Sequence, residues 1–248
     1  MRLTRHAGAF ALAAAFLAAA TGPARAADLI VNGSFELGFN GWVRADQAGG
    51  DGTFSLQTGT ASPINGLPVA APPAGLTAAM SDGGGPGSHV LYQDFVVTSA
   101  PTNQNLLTLQ LFISNSAQNF FTPAGGTLDF SVAAFNQQAR IDIMKGGTNP
   151  FSVAAADVLQ NIYQTKAGDP LVSGYSTIKA DLTAVLAANV GQTLRLRIAE
   201  VDNVNLFNLG VDAVSISAVP EPSTLTLAGA GLVITFVVAR VRRKRTAA

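Results

Sequence analysis

Beyond residue 26 the chain contains one histidine (His89), no cysteine, and only two glutamates (Glu36 and Glu200) ahead of a C-terminal Pro-Glu-Pro. Without thiols there are no disulfides, no thiol nucleophile and no cysteine-ligated zinc. A Ser-His-Asp triad would have to use His89. Its neighbour Ser88 points to the opposite face of any strand that contains both, and the chain has no Gly-x-Ser-x-Gly elbow. His89, at the start of a strand, therefore reads as structural. Glycoside hydrolysis needs two positioned carboxylates. Nothing in the sequence pairs Glu36 with Glu200, although an aspartate could serve. Glu200, Asp202 and Asn205 are of ion-binding types, but their clustering reads as a polar turn. The glycine run at 83–87 lacks the Gly-Lys-Ser/Thr of a phosphate loop and reads as a turn. No catalytic residue is assigned, and the chain reads as non-catalytic.

Four side chains are candidate platforms for a ligand. Trp42, the only tryptophan, could stack on a sugar face, but reads as a core residue beneath the first strand. Tyr92, Tyr163 and Tyr175 are the other three, and the sequence does not place them on one surface. Fourteen phenylalanines beside these few polar aromatics point to aromatics used mainly for core.

The chain of 248 residues has 15 Lys+Arg and 15 Asp+Glu, but the charges are unevenly placed. Residues 27–219 hold seven basic and 14 acidic side chains, a net charge of −7. An acidic segment with no basic cluster argues against nucleic acid, where Lys and Arg must replace phosphate counterions. It also argues against a polybasic membrane-surface role.

Both ends read as targeting segments. Residues 1–26 combine Arg2 and Arg5, an apolar run from Ala7 to Ala20, and Ala24-Arg25-Ala26. This is the three-part pattern of a signal peptide, with cleavage expected after Ala26. At the other end Val219-Pro220-Glu221-Pro222 leads into an apolar run at 223–239 and then Arg240-Val-Arg-Arg-Lys-Arg245. Seventeen helical residues reach about 26 Å, just enough for a hydrocarbon core of about 30 Å. The basic tail should stay cytoplasmic. The prolines keep the backbone beside the membrane extended, as a protease cleft requires.

This order of motif, helix and basic tail resembles the PEP-CTERM sorting signal, with Pro220, Glu221 and Pro222 as the motif. The resemblance covers about the last 30 residues. It implies a Gram-negative, exopolysaccharide-producing host and an exosortase-type enzyme that removes the helix. The expected route runs through the export machinery and a transient membrane anchor to the cell surface or the extracellular biofilm matrix.

Residues 27–219 read as one all-β domain, a single jelly-roll β-sandwich between the signal peptide and the sorting segment 220–248. Short runs of Val, Ile, Leu and Phe alternate with Gly/Pro/Asn/Asp clusters. The expected strands are 29–35, 53–57, 89–97, 106–113, 128–133, 140–144, 158–165, 193–201 and 211–217. In the fourth, Leu107, Leu109, Leu111 and Ile113 share a face. In the eighth, Leu194, Leu196 and Ile198 oppose Arg195 and Arg197. One short helix is expected at 179–188, and 65–73 and 81–87 read as loops.

The opening Leu29-Ile-Val-Asn-Gly-Ser-Phe-Glu36, followed by Gly41-Trp42, is similar to the start of galactose-binding-like jelly rolls, which include many carbohydrate-binding modules. The segment from Asp181 to Val214 is similar to their end. This resemblance implies that the first and last strands lie side by side and share a structural calcium ion, with Glu36 and Asp212 as carboxylate ligands. Calcium takes six to eight oxygen donors, so carboxylates and carbonyls suit it. The resemblance also implies exopolysaccharide as a partner, although one fold hosts many functions. An enzyme acting on surface polysaccharide and a purely structural surface protein are the alternatives.

Overall fold

The structure is a computed structural model that describes residues 28–82 and 84–218. Residues 28–218 form one compact unit. The expected signal peptide, the Pro220-Glu221-Pro222 motif and the apolar run 223–239 lie outside the described residues. Among the described residues no helix is long and apolar enough to cross a membrane.

Ten strands form the domain: β1 Val43–Asp46, β2 Thr53–Thr58, β3 Thr77–Asp82, β4 Gly87–Val96, β5 Asn105–Asn115, β6 Gln137–Lys145, β7 Val158–Gln164, β8 Val172–Asp181, β9 Thr193–Asp202 and β10 Phe207–Ala218. They make two five-stranded sheets, ordered β1-β4-β9-β6-β7 and β2-β3-β10-β5-β8. Every pairing between named strands is antiparallel. The chain crosses repeatedly between the sheets, and the expected jelly-roll β-sandwich is the fold it adopts.

Period-2 alternation builds the core. Leu107, Leu109, Leu111 and Ile113 of β5 and Leu194, Leu196 and Ile198 of β9 meet in one cluster, with Ile141 and Ile143 of β6. Strand β10 needs an irregularity to keep its face inward. Phe207, Leu209 and Val211 point into the core, and so do Val214 and Ile216. The switch from odd to even positions occurs at a bulge between Asp212 and Ser215, where Ala213 has φ +50°. One inserted residue bends the strand and returns its apolar side chains to the core.

The outer face of the first sheet is also covered. Arg197 is fully buried and donates to the carbonyls of Pro150 and Ser152, while Arg195 donates to that of Thr148. Leu128 packs with Val90, Ala199 and Val201 on that same face. The arginines expected to oppose the core thus anchor a covering segment and do not face water.

Several expected elements differ. Residues 29–35 form bends and turns, not a strand, because Asn32 and Phe35 take positive φ (53° and 56°). The segment still runs beside the last strand: Leu29 N–H donates to the Ile216 carbonyl and Val214 N–H to that of Gly33, both at 2.9 Å. A Cβ on Gly33 would overlap the Val214 carbonyl oxygen, so only glycine allows this approach. Residues 128–133 are likewise irregular. The helix α1 spans only Thr183–Ala187, because Lys179–Asp181 still belong to β8. Strands β1, β3 and β8 were not expected.

Candidate functional site

Three places gather polar side chains into defined geometry. The first closes the two ends of the domain. Glu36 Oε1 accepts the N–H of Leu76 (2.8 Å), the N–H of Thr77 (2.9 Å) and the Thr77 hydroxyl (2.8 Å). Asp212 Oδ2 accepts Ala74 N–H (2.9 Å), and its Oδ1 accepts Ala213 N–H (2.6 Å). Two carboxylates from opposite ends of the domain therefore grip one loop, 74–77.

Their surroundings split their acidities. Glu36 is exposed, and the hydrogen bonds from Thr77 and Leu76 hold its carboxyl below the ordinary glutamate value. Asp212 is buried, and desolvation, aided by the nearby Glu36 charge, pushes it up to about 6 against its two amide hydrogen bonds. Among the described residues neither forms an ion pair with Lys or Arg. Two hard oxygen donors sharing a loop, one of them destabilised as an anion, suit a hard divalent cation.

The second place is a cleft of about 690 Å³ along β7, lined by Phe120, Thr122, Asn161, Tyr163, Gln164 and Asp169 among others. Its amides are held from beneath. Asn161 lies opposite Asp142 in the β6–β7 register and donates its side-chain N–H to Asp142 Oδ1 at 2.8 Å. Asp142 is itself fixed between Arg140 and Arg197 at 2.7 and 2.5 Å. Those two arginines outweigh burial and keep it ionised, with its pKa below the ordinary aspartate value. Gln164 donates to Gln138 at 2.8 Å. Burial, and then Asp169, raise the Tyr163 phenol.

The other candidate platforms are committed elsewhere. The Arg195 guanidinium stacks 3.8 Å from the Tyr92 ring centre. Tyr175 donates to Gln57 at 2.8 Å, and burial pushes its phenol up strongly. Trp42 packs 5.2 Å from Phe35, and its indole N–H donates to the Asn32 carbonyl. Of these four, only Tyr163 lines the β7 cleft.

The third place was missed by sequence reasoning. His89, Glu200 and Asp202 are all buried and gather at one end of the sandwich. The expected polar turn at Glu200–Asn205 is in fact the end of β9 for its first residues, Glu200 to Asp202, and His89 stands opposite Glu200 on β4. A signal was available: His89, Glu200 and Asp202 occupy core-facing parity on their strands.

No curated protein matches the chain. Several solved structures are similar to the chain at low identity. The structure of TmCBM61 in complex with β-1,4-galactotriose is 9% identical with TM-score 0.43, covering 79% of this chain and 99% of that one. An apo-form cyclase from Fischerella sp. is 18% identical with TM-score 0.47, covering 81% and 100%. The enzymatically active domain of bacteriophage CBA120 tailspike protein 4 is 12% identical with TM-score 0.42, and 77% of this chain spans only 21% of its length. The fold assignment stands on the strand pairing. Residues 218–244 match the PEP-CTERM protein-sorting motif, which implies export, processing by an exosortase-type system and sorting to the cell surface.

Proposed function

We propose that the exported domain is a non-catalytic polysaccharide-binding module of the cell surface or biofilm matrix, held at the membrane by the 223–239 helix until processing. The observation that carries this reading is the β7 cleft, whose lining includes Tyr163 and the Asn161 amide that Asp142 fixes. Sugars present arrays of hydroxyls and apolar C–H faces. The side-chain N–H groups of Asn161 and Gln164 are engaged within the protein, which leaves their carbonyl oxygens to accept from sugar hydroxyls, and an aromatic ring packs on the C–H face. A cleft of this size with a few fixed polar groups is the usual form of a ligand site.

Glu36 and Asp212 are the proposed ligands of a structural calcium ion. The ion would supply positive charge between two carboxylates and pin the first segment to the last strand, a role disulfides cannot fill here. Such a pair of unlike acidities also characterises glycosidases. Asp212, however, is wholly buried, and neither residue lines the β7 cleft. This favours a structural pin over catalysis.

The test is electrophoresis of residues 27–219 through gels cast with the producing organism's exopolysaccharide, with calcium and with EDTA. Retardation that weakens in EDTA and in Tyr163→Ala supports the reading. A folded domain that runs unretarded in both gels contradicts it for that polymer.

A further inference from the structure

A buried cluster of polar side chains lies at one end of the sandwich. Strands β4 and β9 pair so that Gly87 faces Asp202 and His89 faces Glu200. One ring nitrogen of His89 and one carboxylate oxygen from each acid lie within 4.8 Å of one another. Each of the three residues is no more than 2% exposed.

The ring is oriented by a partner outside the cluster. His89 Nδ1 stands 2.8 Å from Asp46 Oδ1, and Thr53 donates to the other Asp46 oxygen. An ionised carboxylate only accepts, so Nδ1 carries the proton and Nε2 is left as the free donor atom. That Nε2 is buried and has no hydrogen-bond partner. It sits against Gly87, where a Cβ would stand 2.5 Å from it, and Gly87 N–H donates to Asp202 Oδ1 at 2.8 Å. Nε2 is therefore on the carboxylate side of the ring.

Carboxylate–histidine–metal relays have this arrangement: the outer carboxylate fixes the tautomer and raises the basicity of the inner nitrogen. We propose that His89 Nε2, Glu200 and Asp202 bind a divalent transition-metal ion of the zinc class. One imidazole with two carboxylates suits such borderline ions, whereas calcium prefers all-oxygen shells. Zinc donors stand about 2.0–2.2 Å from the ion, so the set closes by small side-chain movements. Three protein donors leave a coordination position for water. Asp202 also lines a cleft of about 270 Å³ with Gly84, Pro86 and Asn203, which gives the ion a way in. The site joins β4 to β9 and does not depend on the glycan or calcium readings.

The test titrates the full chain, purified in detergent and stripped with chelator, with zinc chloride by calorimetry. One equivalent binds with micromolar or tighter affinity. His89→Gln and Glu200→Gln each weaken it at least tenfold, Asp46→Asn weakens it severalfold, and Asp212→Asn leaves it unchanged. In the wild-type chain one equivalent of zinc shifts the His89 Nε2 resonance, a readout that stands even if the buried variants fail to fold. An unmoved His89 Nε2 resonance overturns the proposal. Affinity unaltered in folded His89→Gln and Glu200→Gln does so equally.

Discussion

Glu36 and Asp212 close the same short loop: Glu36 accepts the amide hydrogens of Leu76 and Thr77, and Asp212 accepts that of Ala74. Gly75 lies between these contacts with φ +72°, and a Cβ there would collide with the Glu36 carboxylate. The loop is therefore tied to both the first segment and the last strand by carboxylates.

In the absence of divalent ions Asp212 should make the domain less stable as pH rises. Its carboxyl is raised from 3.8 to about 6 by burial in the folded state. The stabilisation from its protonated form is complete below the unfolded value and is lost as pH climbs through about 6. The full effect is on the order of 2–3 kcal/mol. In EDTA, Asp212→Asn should therefore gain on wild type between pH 4 and 7 in thermal melts. Millimolar calcium should reverse the order, because the ion needs the charged carboxylate. Parallel wild-type and Asp212→Asn curves across this window would contradict the assignment.

Gly33→Ala should be severely destabilising. The new methyl would overlap the Val214 carbonyl oxygen, and Gly33 itself accepts the Val214 N–H. Overpacking against backbone costs about 1–3 kcal/mol or more. A urea midpoint within error of wild type would show that the segment 29–35 does not hold to β10 as described.

The two arginines on the outer face of β9 should respond differently to loss of their partners. Asp142 and Arg197 are both fully buried, so Asp142→Ala strands a charge and should cost about 3–5 kcal/mol, with little dependence on salt. Asp94, the partner of Arg195, is about a third exposed, and Asp94→Ala should cost about 1 kcal/mol or less. Urea unfolding at low and high salt distinguishes them.

Processing should depend on the C-terminal motif. Replacing Pro220, Glu221 and Pro222 with alanine in the full chain should leave an uncleaved, membrane-retained protein in the producing cell, visible as a larger band in the membrane fraction. Cleavage at the normal rate would contradict recognition of these residues.

The sequence made the sandwich legible where period-2 alternation is strong, as in Leu107–Ile113 and Leu194–Ile198. It failed where the backbone departs from that period without changing composition. The apolar run at 29–35 looks like a strand, but positive φ at Asn32 and Phe35 turns it. Strand β8 is an edge strand whose central Ser-Gly-Tyr-Ser-Thr stretch is too polar to carry the signal. Glu36 and Asp212 were singled out by resemblance, and spacing alone had no means of bringing them to one loop. His89, Glu200 and Asp202 come together only through the β4–β9 register, which no local pattern encodes. The β7 cleft escaped for a similar reason, since Asn161 becomes a fixed amide only once Asp142 is placed beneath it.

The measurement that bears most directly on polysaccharide binding is an amide-resonance titration of the labelled domain with oligosaccharides of the producing organism's exopolysaccharide. Saturable shifts confined to Asn161–Asp169 and Phe120–Thr122, abolished in Tyr163→Ala, are the predicted result. An unchanged spectrum at saturating oligosaccharide, or shifts centred on another face, would contradict a glycan site in the β7 cleft.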